Sequence, residues 1–164
     1  MTQGDTRIVL IGGAALEKAL KNLDFLKGPA NDMIDGVAET LRRNAMQGSP
    51  VDTGRLKTSW VIDWHKKSGY KTGAVVGSNM PYARYVEEGT KPHWPPLKAL
   101  QPWASRHGFG RGMRGAWLVA RRIAMKGTRA TRFFEKGREA TQPYIDRAMK
   151  HLLSEAKRRF GNIR

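Results

Sequence analysis

Leu56-Lys57-Thr58-Ser59-Trp60-Val61-Ile62-Asp63-Trp64 decides the fold: along it the larger groups Leu56, Thr58, Trp60, Ile62 and Trp64 alternate with Lys57, Ser59 and Asp63. Period two marks a strand with one face buried and the other wet. Lys66-Lys-Ser-Gly69 follows as a polar turn, and Thr72 to Gly77 reads as the return strand of an antiparallel hairpin. Upstream the period is helical. After Asn31, the residues Ile34, Val37, Ala38, Leu41 and Ala45 recur on one face, with Asp35, Glu39, Arg42 and Arg43 opposite. Gly48-Ser-Pro50 ends this helix. An earlier helical pattern from Ala14 sets Ala15, Leu16, Leu20 and Leu23 on one side, and Gly28-Pro29 is expected to break it. Arg7-Ile-Val-Leu-Ile11, short and β-branched before Gly12-Gly13, reads as a further strand. The helices are expected to cover one face of the sheet.

Downstream, Lys91-Pro-His-Trp-Pro-Pro96 is stiff and extended until its end. Leu97, Leu100, Trp103 and Ala104 then give a short amphipathic helix. Gly108 to Gly115 holds four glycines among Arg and Met and reads as a mobile loop. Ala116, Val119, Ala120 and Ile123 form another helix, stopped at Gly127. Ile145, Ala148, Met149, Leu152, Ala156 and Phe160 stripe a long C-terminal helix from about Glu139. The expected class is α+β: an antiparallel sheet packed by N-terminal helices, with a long C-terminal helix. Residues 1–164 fit one domain carrying a Gly/Arg-rich loop near 108–115.

The net charge is +16 and unevenly placed. Residues 1–99 carry 14 Lys and Arg against 10 Asp and Glu, whereas residues 100–164 carry 16 against 4. Such a field attracts polyanions, so DNA and acidic neighbouring proteins are both candidate partners. There is no cysteine, hence no disulfide framework and no thiolate nucleophile. Neither a signal peptide nor an apolar run long enough to span a bilayer is legible, so a soluble protein is expected. Catalysis needs converging polar groups, and none assemble. His65, His93, His107 and His151 lie far apart, without a second histidine at ligand spacing. Glu87 and Glu88 are adjacent and point different ways. Gly108-Phe-Gly-Arg-Gly112 is no phosphate-binding loop, although its composition has the look of segments that stack on bases. No catalytic residue, metal or cofactor is expected.

Two stretches are more specific. In Ser49-Pro-Val-Asp-Thr-Gly-Arg-Leu56, Pro50 ends the helix and Asp52 or Thr53 can accept from the next backbone amides. Gly54 supplies an unusual φ, and Leu56 starts the strand. In Pro81-Tyr-Ala-Arg-Tyr-Val-Glu-Glu-Gly-Thr90, the residues Tyr82, Tyr85 and Val86 share one side of a helical turn that Gly89 ends. A helix-to-strand corner and a capped turn would by themselves account for these residues.

In this order and spacing the pair resembles the small tail-component proteins of long-tailed double-stranded DNA bacteriophages, which include neck and tail-completion proteins. Ala120-Arg-Arg-Ile-Ala124 and Lys126-Gly-Thr-Arg-Ala-Thr-Arg-Phe-Phe134 continue the likeness, the latter as a Gly-Thr element leading into a terminal helix. Glu88 departs from it, since such proteins often have an apolar residue before Gly-Thr. The resemblance implies a structural subunit that forms a homo-oligomeric ring at the head–tail junction. Its neighbours would be connector or head-closure and tail-terminator or tail-tube proteins, and packaged DNA is a further candidate contact. It implies a place in the virion after assembly in the host cytoplasm, with no membrane partner. A tail-terminator or head-closure protein, or a basic nucleic-acid-binding protein, is the alternative. The implied packing or interface residues are Pro50, Asp52, Thr53, Gly54 and Leu56; Tyr82, Ala83, Tyr85, Val86, Glu87, Gly89 and Thr90; and Gly127, Thr128, Phe133 and Phe134. Lys91 to Pro96 and Gly108 to Gly115 are candidates to reach a neighbouring subunit. Arg111, Arg114, Arg129 and Arg132 are the candidate DNA or partner contacts.

Overall fold

The computed structural model of the chain describes residues 7–11, 24–67 and 70–161. It resolves into two compact units, one formed by residues 1–80 with 133–164 and the other by residues 81–132. The helical pattern from Ala14 to Leu23, the Gly12-Gly13 stop and part of the Lys66–Gly69 turn lie outside the described residues.

The first unit contains β1 (Arg7–Ile11), α1 (Asp24–Gly48), the short turn α2 (Arg55–Thr58), β2 (Trp60–Lys67), β3 (Tyr70–Ser78) and α6 (Phe133–Gly161). The α+β class holds, and the sheet is antiparallel with order β1-β3-β2. The hairpin is in the expected place. Trp60, Ile62 and Trp64 stand opposite Ser78, Val76 and Ala74, with a bulge between His65 and Lys66. This is the face that α1 covers. Trp60, Ala74 and Val76 are buried and Ile62 and Trp64 half-buried, while Val61, Asp63 and His65 face water. Lys71 ties hairpin to helix: its amide donates to Asn31 Oδ1 at 2.7 Å, and its ammonium pairs with the Asp35 carboxylate and lies 4.5 Å from the Trp64 ring centre.

Two boundaries differ from the sequence reading. The strand begins at Trp60, because Leu56 and Thr58 belong to the helical turn α2. Leu56 is buried all the same, since a helical turn places it four residues behind Trp60. Gly28-Pro29 does not break the helix: Pro29 lies inside α1. It forfeits one backbone bond near the N-terminus. The apolar stripe nonetheless runs through it, for Leu26 and Ala30 pack on Leu152 of α6 beside Phe25, Met33 and Ala156. Tertiary burial offsets what the proline costs.

α1 and α6 run antiparallel. Leu26 meets Leu152 near one end and Tyr144 crosses Gly36 in the middle. At the other end a Cβ on Gly137 would lie 3.1 Å from Ala45 N, so the backbones almost touch. Asn44 Nδ2 donates to Thr141 Oγ1 at 2.9 Å, and that hydroxyl donates to Gly137 O at 2.7 Å. α6 starts at Phe133, six residues earlier than its apolar stripe suggests. Its first turns are held by Phe133 and Phe134 and then by the small and hydroxyl residues Gly137 and Thr141, while Met149 is exposed. The side chain of Phe160 lies outside the described residues.

Trp60 centres this unit. It stacks on Phe134 with ring centres 5.2 Å apart and meets Phe133 edge-on at 5.9 Å. Its indole N–H donates to Ser49 Oγ at 2.8 Å, and Ser49 Oγ donates to Ala45 O at 2.7 Å. Ser49 is therefore a buried relay between the end of α1 and the strand. Ser49→Ala would strand the indole donor, and a loss of about 1–2 kcal/mol in urea unfolding is expected. The same substitution on a Trp60→Phe background should cost clearly less, since the donor is then gone.

The second unit holds α3 (Ala83–Glu88), α4 (Leu97–Arg106) and α5 (Gly112–Lys126). α4 and α5 form a hairpin with a core of Ala104, Ala116, Val119 and Ala120. The 108–115 stretch is not one loop. Gly112 opens α5, and Gly115 is buried beneath the preceding turn, where a Cβ would meet Gly110 O at 2.4 Å. Phe109 folds back, its amide donating to Ala104 O at 3.0 Å and its ring stacking on Trp103 at 5.6 Å.

Candidate assembly surface

Pro50, Asp52 and Thr53 lie exposed on the corner between α1 and α2. Gly54 takes φ 79° at the N-cap of α2 and has no side chain with which to cap the turn. Instead Thr58 closes the turn, its amide donating to Gly54 O at 3.1 Å. Ser59 Oγ lies 2.6 Å from Ser78 Oγ and bonds the corner to the end of β3.

In the second motif the buried residue is Ala83, not the tyrosines. Val86 and Glu87 are half-buried, Tyr82 is exposed and Tyr85 is 61% exposed. A six-residue helix has too little surface to bury both rings and its alanine together. Phe133 and Phe134 are fully internal, against Trp60.

The two Gly-Thr dipeptides come together. Thr90 and Thr128 form an antiparallel bridge, each amide donating to the other's carbonyl at 3.1 Å, with their hydroxyls 3.0 Å apart. Gly89 (φ 74°, ψ −176°) and Gly127 (φ 67°, ψ −160°) flank it in a backbone region that only glycine occupies readily. Space demands glycine as well: a Cβ on Gly89 would lie 2.4 Å from Thr128 O, and one on Gly127 would lie 1.9 Å from Thr90 O. The chain then continues along the end of α3. The amide and hydroxyl of Thr131 donate to Val86 O at 3.1 and 2.7 Å, and the Arg132 amide donates to Glu87 O at 3.2 Å. Thus Val86, Glu87, Gly89, Thr90, Gly127 and Thr128 form one clasp.

Arg111, Arg114, Arg129 and Arg132 are all exposed, along with most other cations of the second unit. Sequence reading took Trp60 only as a strand residue and Ser49 only as part of the corner, and passed over Gly137. It also missed the outer side of α5, where Trp117, Leu118 and Met125 are exposed among arginines. The signal for α5 was present, as large apolar residues one, seven and eight apart on the side opposite its alanines. Among the described residues no His, Asp and Glu group has the arrangement to hold a metal, and no helix is long and apolar enough to cross a membrane.

The most specific features of this α+β chain are the helix-to-strand corner and the bridge between its two Gly-Thr dipeptides. Residues 14–89 match the model of the HK97-gp10-like family, described as "Bacteriophage HK97-gp10, putative tail-component", so over that stretch the chain is similar to a phage tail-component protein. The match spans both motifs as far as Gly89. No curated protein and no solved structure matches the chain at a significant level.

Proposed function

We propose that the chain is a tail-completion or neck subunit that assembles into a ring at the head–tail junction and joins the tail to the DNA-filled head. The family match over residues 14–89 carries this reading. The surface of the second unit supports it, since Tyr85, Trp94 and the outer residues of α5 are exposed, as interface anchors are before assembly. Its role is structural and not catalytic. Connector or head-closure proteins on one side and tail-terminator or tail-tube proteins on the other are its neighbours, and its corner and clasp shape the contacting edges. Cryo-electron microscopy of intact particles tests this. Ring density for this chain between head and tail is the expected result, and density elsewhere in the particle would overturn the assignment. Tyr85→Ala should leave unfolding within about 0.5 kcal/mol of the parent, because the ring is solvated. Particle yield should nevertheless fall, and full assembly would remove Tyr85 from the interface.

The charge of +16 favours one other reading, a basic protein that acts on nucleic acid. A DNA affinity falling with salt at about −0.9 per phosphate contact, together with absence from particles, would favour it.

A further inference from the structure

We infer that the outer face of α5 is a docking surface for an acidic, amphipathic segment of another virion protein. The inference rests on the proposed virion role. Gly115, Ala116, Val119 and Ala120 turn inward. Arg114, Trp117, Leu118, Arg121, Arg122 and Met125 recur at spacings of three and four on the other side, and all are exposed. Trp117 is 42% exposed, Leu118 47% and Met125 59%. Arg121 lies over the Trp117 ring, its guanidinium carbon 5.6 Å from the centre, so part of the face is already ordered.

Two properties select the occupant. First, the face joins large apolar groups to arginine and contains no lysine, the composition enriched where proteins meet. A phosphate backbone would engage the arginines and leave Leu118 and Met125 in water, whereas a protein segment can cover both. Second, the surrounding sequence is strongly basic. Between Pro81 and Arg132 there are eleven Lys and Arg against Glu87 and Glu88 alone, and no carboxylate occurs from Gly89 to Phe134. Glu88 is paired with Arg84. A second copy of the chain would bring more positive charge to the face, since the whole chain is strongly basic. Carboxylates flanking an apolar stripe meet both requirements.

The test places photoreactive p-benzoylphenylalanine at Leu118 of the full chain in assembled particles, with Leu153 on α6 as the comparison site. Irradiation at position 118 is expected to yield an adduct with a different virion protein, at an Asp- and Glu-rich segment. Arg121→Glu with Arg122→Glu should lower that yield about tenfold or more, on the scale of losing close charge pairs. Lys150→Glu on α6 should leave it unchanged. A nuclease-sensitive adduct, an adduct with a second copy, or no adduct from a chain present in the particle would overturn the inference while leaving the virion role intact. A chain missing from the particles altogether would overturn both.

Discussion

Gly127→Ala is expected to unfold the 81–132 unit, at a cost of about 3–5 kcal/mol. Two penalties coincide at this position. The backbone region at φ 67° and ψ −160° is nearly closed to alanine, and the new methyl would press to within 1.9 Å of the Thr90 carbonyl. Neither atom has room to give, because Thr90 is held by reciprocal amide bonds to Thr128. Hydrogen exchange should show Thr90 and Thr128 losing protection first, then the ends of α3 and α5. Gly89→Ala should act in the same direction for the same pair of reasons. Thr128→Ser, which keeps the backbone and the hydroxyl, should cost little. An alanine variant with parent-like exchange through this unit would show that the clasp does not hold it.

Trp60→Ala should cost the other unit about 3–5 kcal/mol. The substitution removes a buried indole between Phe134 and Phe133 and leaves Ser49 facing a void. Trp60→Phe, which retains stacking and loses the donor, should cost about 1–2 kcal/mol. Chemical denaturation followed by far-ultraviolet circular dichroism reads both. Equal losses for the two variants would mean that the stacking contributes nothing beyond the hydrogen bond.

What was legible in the sequence was what local periodicity encodes. The β2–β3 hairpin announces itself because its alternation is read from neighbours two residues apart. The long helices do so through stripes three and four apart. Partners distant along the chain were not legible. Leu152 overrides the break at Pro29 from more than a hundred residues away, and nothing near Pro29 reveals it. Gly89, Thr90, Gly127 and Thr128 were each singled out, yet their pairing across 38 residues carries no periodic sign. Aromatic content alone did not separate core from surface: Phe133 and Phe134 are internal, whereas Tyr85, on a six-residue helix, is exposed. The loop at 108–115 was overcounted for a related reason: Gly115 is small so that backbone can lie on it, not so that it can move.

The first unit is assembled from two stretches of chain, with residues 81–132 synthesised between them. A ribosome adding roughly 5–20 residues per second needs on the order of 5–20 s to pass from Trp60 to the end of α6. For most of that time, until Phe133 and Phe134 are made, Trp60 has neither of its phenylalanines, and α1 lacks the complete helix that covers it. The hairpin and its bare helix are thus held out to the cell as a nascent, sticky half-domain. Slower translation beyond residue 80 would lengthen the wait, so the load on holding chaperones is set by the length of the intervening segment.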